Sequence, residues 1–122
     1  MENSAGISAS LSGRYATALF DLAQEKKALD SVETSLDTLD KALAESDDLR
    51  RLTTSPIVER EQARDAMAAL SKQLGLDALT ANTLGVLANN RRLGALRSLI
   101  ADFRQLLATH RGEVRAEISS AF

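Results

Sequence analysis

Apolar residues recur at helical spacing along most of this chain, and the first such segment, residues 13–29, carries two apolar faces. One stripe, with the spacing i, i+3, i+4, i+7, consists of Ala16, Leu19, Phe20 and Ala23. A second stripe, centred about 120° around the same helix at ~100° per residue, consists of Leu11, Tyr15, Ala18 and Leu22. A surface helix needs one apolar stripe to join a core. Either this helix is buried centrally in a bundle, with Tyr15 in the core, or its second face binds a partner.

Five further segments have a helical period, so the sequence predicts an all-α, six-helix bundle. The predicted segments are Ser31–Glu45, Asp47–Thr53, Pro56–Leu74, Ala78–Asn89 and Leu93–His110. Serine and aspartate are favourable N-caps because their side-chain oxygens accept hydrogen bonds from the free amides of the first helical turn. The predicted N-caps are Ser10 or Ser12, Asp30 or Ser31, Ser55 before Pro56, and Asp77. Gly75 is predicted to end the fourth helix with a positive φ.

The fifth helix also has two apolar stripes. Its predicted core stripe is Ala81, Leu84, Leu87 and Ala88, and its second stripe is Leu79, Thr83, Val86 and Asn90. Small side chains on the second stripes of both helices would leave a shallow groove rather than a flat wall. A groove between two helices is a docking site for an amphipathic helix of another protein. The two stripes therefore favour a binding surface between helices one and five.

The last ten residues change period. Val114, Ala116 and Ile118 alternate with polar residues, which is typical of a strand. A single strand would have no ladder partner in a helical chain, so we expect an extended segment leading to a second domain that is absent here. The predicted organisation is a disordered tail at 1–9, a helical domain at 10–111 ended by Gly112, and an extended linker at 112–122.

Composition gives little support to catalytic or metal chemistry. The chain has 122 residues, no cysteine and a single histidine, so thiolate metal sites and disulfides are excluded. His110 is expected to be a solvated residue that the helix dipole favours at the end of the sixth helix. We therefore expect no enzyme activity, no cofactor and no metal. No apolar run approaches the ~20 residues of a membrane span, so direct membrane insertion is not expected either.

Nucleic-acid binding is the weaker alternative. The chain has many arginines, but its net charge is −2 and aromatic residues are only 3% of the chain. Binding of single strands uses a contiguous basic groove with aromatic stacking, whereas these arginines lie near acidic residues or on different helices. They are expected to form a solvated, salt-bridged surface.

Four segments, taken in order, resemble the δ subunit of F-type ATP synthases, the family that includes the oligomycin sensitivity-conferring protein. Residues 15–23 are similar to the family's YAxALFxLA opening, and residues 52–57 to its L-x-x-S-P turn. Residues 84–96 resemble LxxLAENxRLxxL, with Asn89 in place of the more usual glutamate. Residues 114–121 resemble A-x-V-x-[ST]-A, which leads out of the N-terminal domain. The resemblance covers residues 10 to 122.

This resemblance implies an N-terminal domain that acts as a non-catalytic stator component. Helices one and five of that domain receive the N-terminal helix of an α subunit, and a C-terminal domain missing here contacts the peripheral-stalk b subunits. The resemblance implies a peripheral location at the cytoplasmic face of a bacterial inner membrane. The expected partner-binding residues, with Arg14, Asn82 and Asn89 at the rim, are Leu11, Arg14, Tyr15, Ala18, Leu22, Leu79, Asn82, Thr83, Val86, Asn89 and Asn90. The alternative functions are a helical adaptor that binds a different amphipathic helix and, less favoured, an RNA-binding helical module.

Overall fold

The fold is all-α, as the sequence predicts. A computed structural model describes the backbone of residues 10–120 and the side chains of residues 10–112. Within this range six α-helices and one 3-10 turn occur, and no strand. The helices are α1 (Leu11–Glu25), α2 (Leu29–Glu45), α3 (Asp47–Thr54), α4 (Arg60–Leu74), α5 (Ala78–Asn89) and α6 (Leu96–Ser120), with the 3-10 turn at Leu93–Ala95. The tail predicted at 1–9 lies outside the described residues.

The core lies where α6 packs along α1 and where α4 packs along α5, with α2 against α1, α5 and α6. Within this core Phe20 and Phe103 meet edge to face, with ring centroids 5.8 Å apart. Aromatic pairs prefer this geometry to a face-to-face sandwich. The predicted core stripe of α1 is buried, and α2 and α6 bury apolar residues at helical spacing: Val32, Leu36, Leu39 and Leu43 in α2, and Leu96, Leu99, Ile100, Phe103 and Leu107 in α6.

One predicted core position in α5 is wrong. Ala81 is only half-buried, whereas Thr80 is 1% exposed and takes its place in the stripe with Leu84 and Leu87. A buried hydroxyl needs a hydrogen-bond partner, and the Thr80 hydroxyl donates to Asp77. The partner is the N-cap residue of the same helix, so burial of Thr80 leaves no unpaired polar group.

Three of the predicted helix caps are confirmed. The Ser10 hydroxyl accepts from the Gly13 amide at 2.9 Å, and the Asp77 carboxylate accepts from the amides of Leu79 and Thr80 at 3.0 and 3.2 Å. Gly75 ends α4 with φ 67°, a conformation that glycine adopts without a Cβ penalty.

The boundary between α1 and α2 differs from the prediction. α1 ends at Glu25 rather than at Leu29, because Lys27 takes a left-handed conformation with φ 55°. The Ala28 amide donates to the Ala23 carbonyl at 2.7 Å and closes the turn. α2 then starts at Leu29 with Ala28 as its N-cap, so the predicted caps Asp30 and Ser31 are wrong; both lie in its first turn.

α4 begins four residues later than predicted. Ser55 and Pro56 do not start it; Ser55 instead ends α3, donating its amide to the Arg51 carbonyl at 2.8 Å. Ser55 has ψ 127°, the extended conformation that a following proline favours. α4 starts at Arg60 after the N-cap Glu59, whose amide donates to the Gln62 side chain at 3.3 Å.

The predicted extended segment at the C-terminal end is wrong as far as Ser120. α6 continues through Gly112 to Ser120 as one helix of 25 residues. A glycine inside a helix costs only about 1 kcal/mol relative to alanine. A helix satisfies its own backbone hydrogen bonds, whereas the alternating residues 114–118 have no neighbouring strand with which to pair. Residues 121–122 lie outside the described range.

Candidate functional site: the α1–α5 face

The second apolar stripe of α1 lies at the surface. Leu11 and Leu22 are 43% and 45% exposed, Ala18 is exposed and Tyr15 is half-buried. The other stripe of the same helix, Ala16 to Ala23, fills the core. The alternative in which α1 is buried on all sides is therefore wrong, because its second apolar stripe remains available at the surface.

The second stripe of α5 has the same character. Val86 is 48% exposed, Asn90 is exposed, and Leu79 and Thr83 are half-buried. The Thr83 hydroxyl donates to the Leu79 carbonyl one turn earlier, at 2.9 Å. Because the hydroxyl proton of Thr83 is already donated to a backbone carbonyl of its own helix, the side chain presents less polarity to an incoming partner. Isolated exposed apolar residues are ordinary, but apolar stripes on two helices of one domain are typical of a docking surface.

One contact joins the two stripes directly. α1 and α5 pack against each other, and the Asn90 side-chain amide donates to the Tyr15 hydroxyl at 3.1 Å. We call the second stripes of α1 and α5, together with Arg14, Asn82 and Asn89, the α1–α5 face. Those three predicted rim residues are all exposed. Their contribution to binding stays a prediction.

Gly85 is a residue of α5 that the sequence analysis did not assign to this face. It lies in the helix interior, next to Val86, and is half-buried. A Cβ built on Gly85 would meet nothing within 4 Å, and its φ is not positive. Neither internal packing nor a strained turn therefore requires a glycine there. A glycine allows another backbone to approach closely, which adds Gly85 to the candidate residues.

The arginine surface agrees in part with the prediction of salt bridges. Arg104 pairs with Asp37 and Asp40 at 2.7 and 3.1 Å, and Arg111 pairs with Glu33 and Asp30 at 2.8 and 3.2 Å. The hydrogen bond that the Arg104 guanidinium donates to the Asp37 carboxylate is the main cause that raises the pKa of Arg104 above its ordinary value. The ion pairs of Arg104 and Arg111 both join α6 to α2.

His110 differs from the solvated helix-end residue that the sequence predicts. It lies within α6, because the helix continues to Ser120, and it is half-buried. Its ring contacts the Phe20 ring edge to face, with centroids 5.7 Å apart. The side chain therefore has a packing role against the core.

The described residues include neither a metal-binding cluster nor a membrane-spanning helix. Among them no group of three or more histidine, cysteine, aspartate or glutamate side chains is placed to hold a metal ion. In the same part of the chain no helix combines the length and hydropathy that a membrane span needs.

The chain matches known proteins over nearly its full length. A family model described as the ATP synthase delta (OSCP) subunit matches residues 11–122. A curated ATP synthase subunit delta from Rhizorhabdus wittichii is 61% identical over 121 residues, covering 99% of this chain and 66% of that protein. One from Paracoccus denitrificans is 48% identical, covering 98% and 63%. The chain therefore spans about two thirds of the length of these relatives.

Solved structures give the same result for the fold. A chain of the Polytomella F-ATP synthase is similar with a TM-score of 0.77 and 25% identity, covering 84% of this chain and 90% of that one. A chain of the Toxoplasma gondii mitochondrial ATP synthase is similar with a TM-score of 0.72 and 36% identity, covering 77% of this chain and 52% of that one.

Proposed function

This chain belongs to the ATP synthase delta (OSCP) subunit family, and from that premise we propose that its α1–α5 face binds the N-terminal helix of an α subunit of ATP synthase. The observation that carries the proposal is the pair of surface apolar stripes on two helices that pack together and share the Tyr15–Asn90 hydrogen bond. An amphipathic helix is the partner that suits two such stripes, because its own apolar face can be buried between them.

Affinity in this proposal comes from apolar burial. Leu11, Leu22 and Val86 each keep close to half of their surface exposed. Full burial of such a side chain contributes roughly 1.5–3 kcal/mol, so covering the remaining half of each contributes about 1 kcal/mol. Three such side chains, with the Tyr15 ring, form an apolar centre inside a polar rim of Arg14, Asn82 and Asn89. Polar rim groups fix the orientation of a partner more than they add affinity.

The proposed role is mechanical and non-catalytic. Rotation inside the synthase drags on the catalytic head, and a stator component must hold that head in place. A helix bound on the α1–α5 face resists this drag through slow dissociation, because differences in affinity between related complexes lie mostly in the dissociation rate. The chain would then act as a peripheral part of the complex at the cytoplasmic face of a bacterial inner membrane. Contact with the b subunits is assigned to the remaining third of the relatives' length, which this chain does not span.

The experiment is a titration of the isotope-labelled chain with a synthetic peptide of the α-subunit N-terminal helix, followed by amide NMR shifts. We expect the shifts to cluster on α1 and α5, around Tyr15, Gly85 and Val86. An unrelated amphipathic helix of equal length and net charge is the control. Equal binding of both peptides would favour a general helical adaptor. Absence of shifts in the folded chain would refute the α-subunit proposal.

A further inference from the structure

A concave surface lies where α3, α4 and α5 meet, and none of its residues belongs to the α1–α5 face. It is a cleft of about 350 Å³ between the end of α3, the loop at 55–59, the start of α4 and the turn after α5. Its apolar lining consists of Leu52, Val58, Ala63, Ala88 and Leu93. Ala63, Ala88 and Leu93 are buried core residues, so the floor of the cleft is part of the packed hydrophobic core.

The charge on the cleft is of one sign. Arg60 and Arg91 line it, and no acidic residue does. Both arginines are exposed, and neither forms an ion pair with any residue that the structure describes, whereas Arg104 and Arg111 each bind two carboxylates. An unpaired guanidinium beside an apolar surface is suited to a carboxylate or phosphate, which it can bind through two parallel hydrogen bonds.

Arg91 is also held in an uncommon backbone conformation. Its φ is 56°, in the left-handed region that side chains other than glycine seldom adopt. The turn is fixed by two hydrogen bonds, from the Arg91 amide to the Ala88 carbonyl at 3.2 Å and from the Arg92 amide to the Leu87 carbonyl at 2.7 Å. The same turn ends α1 at Lys27, so it is a common way to end a helix; here it places Arg91 at the cleft.

The adjoining loop favours an acidic protein segment over a small free anion as the occupant of the cleft. Ile57 is 87% exposed and follows Pro56, which lines the cleft. A small anion bound to the arginines would leave Ile57 and the half-buried Leu52 and Val58 uncovered. A protein segment could cover them, and an exposed apolar residue beside a lined cleft is typical of a protein contact.

We propose that this cleft binds an acidic segment of a partner protein that carries at least one bulky apolar side chain. The acidic groups pair with Arg60 and Arg91, and the apolar side chain packs on Val58, Ala63 and Leu93. The proposal is independent of the one for the α1–α5 face, because the two surfaces share no residue.

The test uses the whole chain and a capped peptide of defined composition. The probe holds a central Phe-Leu pair flanked by aspartates; in one control peptide lysines replace the aspartates, and in another serines replace the Phe-Leu pair. We expect the probe to shift the amides of Thr53, Ala63 and Gly94. The double variant Arg60→Gln/Arg91→Gln should lower its affinity at least about fivefold, and added salt should do the same. Arg64→Gln is the matched control, since Arg64 is exposed on α4 and does not line the cleft.

Several results would overturn the proposal. One is equal affinity of the double variant and the Arg64→Gln control, with melting curves that show both folded. Another is a set of cleft shifts that acetate or inorganic phosphate reproduces alone, which would indicate a small-anion site. A third is binding to phosphatidylglycerol vesicles without any binding of the probe, which would indicate a membrane contact. Val86→Asp should leave probe binding unchanged, so failure here and failure at the α1–α5 face can be distinguished.

Discussion

Asn90 at the end of α5 donates its side-chain amide to the Tyr15 hydroxyl on α1 at 3.1 Å, which joins residues 75 positions apart in the chain. Both residues lie on the face to which we assign helix binding. The bond is exposed to solvent, and a hydrogen bond in contact with water contributes little net stability. In the proposed complex the bond would hold the Tyr15 ring in place, and the ring itself would supply the contact area.

Tyr15→Phe and Tyr15→Ala separate these two contributions. We expect Tyr15→Phe to change the free energy of unfolding by less than about 1 kcal/mol and to keep the affinity for the α-subunit peptide. Tyr15→Ala should lower that affinity about tenfold or more, because tyrosine anchors are frequent hot spots in interfaces. Calorimetric titration measures both. Equal losses in the two variants would show that the hydroxyl, not the ring, is the binding element.

A charge placed on either apolar stripe should block binding without unfolding the chain. Val86→Asp and Ala18→Asp put a carboxylate on exposed positions of α5 and α1, so an incoming apolar helix would have to desolvate it. We expect the peptide affinity to fall at least about tenfold, with far-UV circular dichroism and melting temperature nearly unchanged. Ala69→Asp, at an exposed alanine of α4, is the matched control. Collapse of the fold in the first two variants would instead assign those residues to the core.

The ion pairs of Arg104 should contribute little to stability. The Arg104 and Asp37 side chains are 43% and 51% exposed, so solvent screens the pairing and Arg104→Gln should cost only about 0.5 kcal/mol. Arg97→Gln, on the same helix and without an ion pair to described residues, should cost nothing measurable. Denaturant unfolding measures both variants, and about 1 M salt should remove the difference between them.

The stabilisation lost in Arg104→Gln should not vary with pH in the ordinary range of measurement. Because the pKa of Arg104 is raised in the folded chain, its stabilisation is fully present below the unfolded pKa and is lost only as pH rises through the folded value. Both lie above the range in which unfolding is ordinarily measured. The stability difference between wild type and Arg104→Gln should therefore stay constant between about pH 7 and 9. A decline over that interval would contradict the assignment of the effect to the guanidinium pair.

Periodicity predicted the parts of the fold that depend on local pattern. The core stripe of α1 and the Asp77 cap of α5 follow from spacing and side-chain chemistry within one or two turns. The second stripes themselves also follow from local pattern, but periodicity left open whether α1 is buried on all sides, and the packing of the helices decides that its second stripe is exposed. The partner of that face is not encoded locally, and the α-subunit assignment depends on the family.

Features that depend on tertiary partners or on small backbone differences could not be predicted. Thr80 is buried because Asp77 satisfies its hydroxyl, which a hydropathy pattern does not show. The left-handed residue Lys27 ends α1 without any glycine to mark the position. α6 continues through Gly112 because a helical glycine costs little and residues 10–120 include no strand with which this segment could pair. The Tyr15–Asn90 contact requires knowledge of which helices pack together.

Gly85 gives the sharpest test of the α1–α5 face, because one substitution should move stability and binding in opposite directions. Open space surrounds a Cβ built there and its φ is not positive, so Gly85→Ala should stabilise the chain by about 0.5–1 kcal/mol through lower entropy of the unfolded state. If a partner helix approaches closely, the added methyl group should lower the peptide affinity several-fold. Gly112→Ala is the matched control, since Gly112 also lies inside a helix with nothing within 4 Å. It should stabilise the chain equally and leave the affinity unchanged. Equal affinity in both variants would show that no partner backbone approaches α5 closely at Gly85.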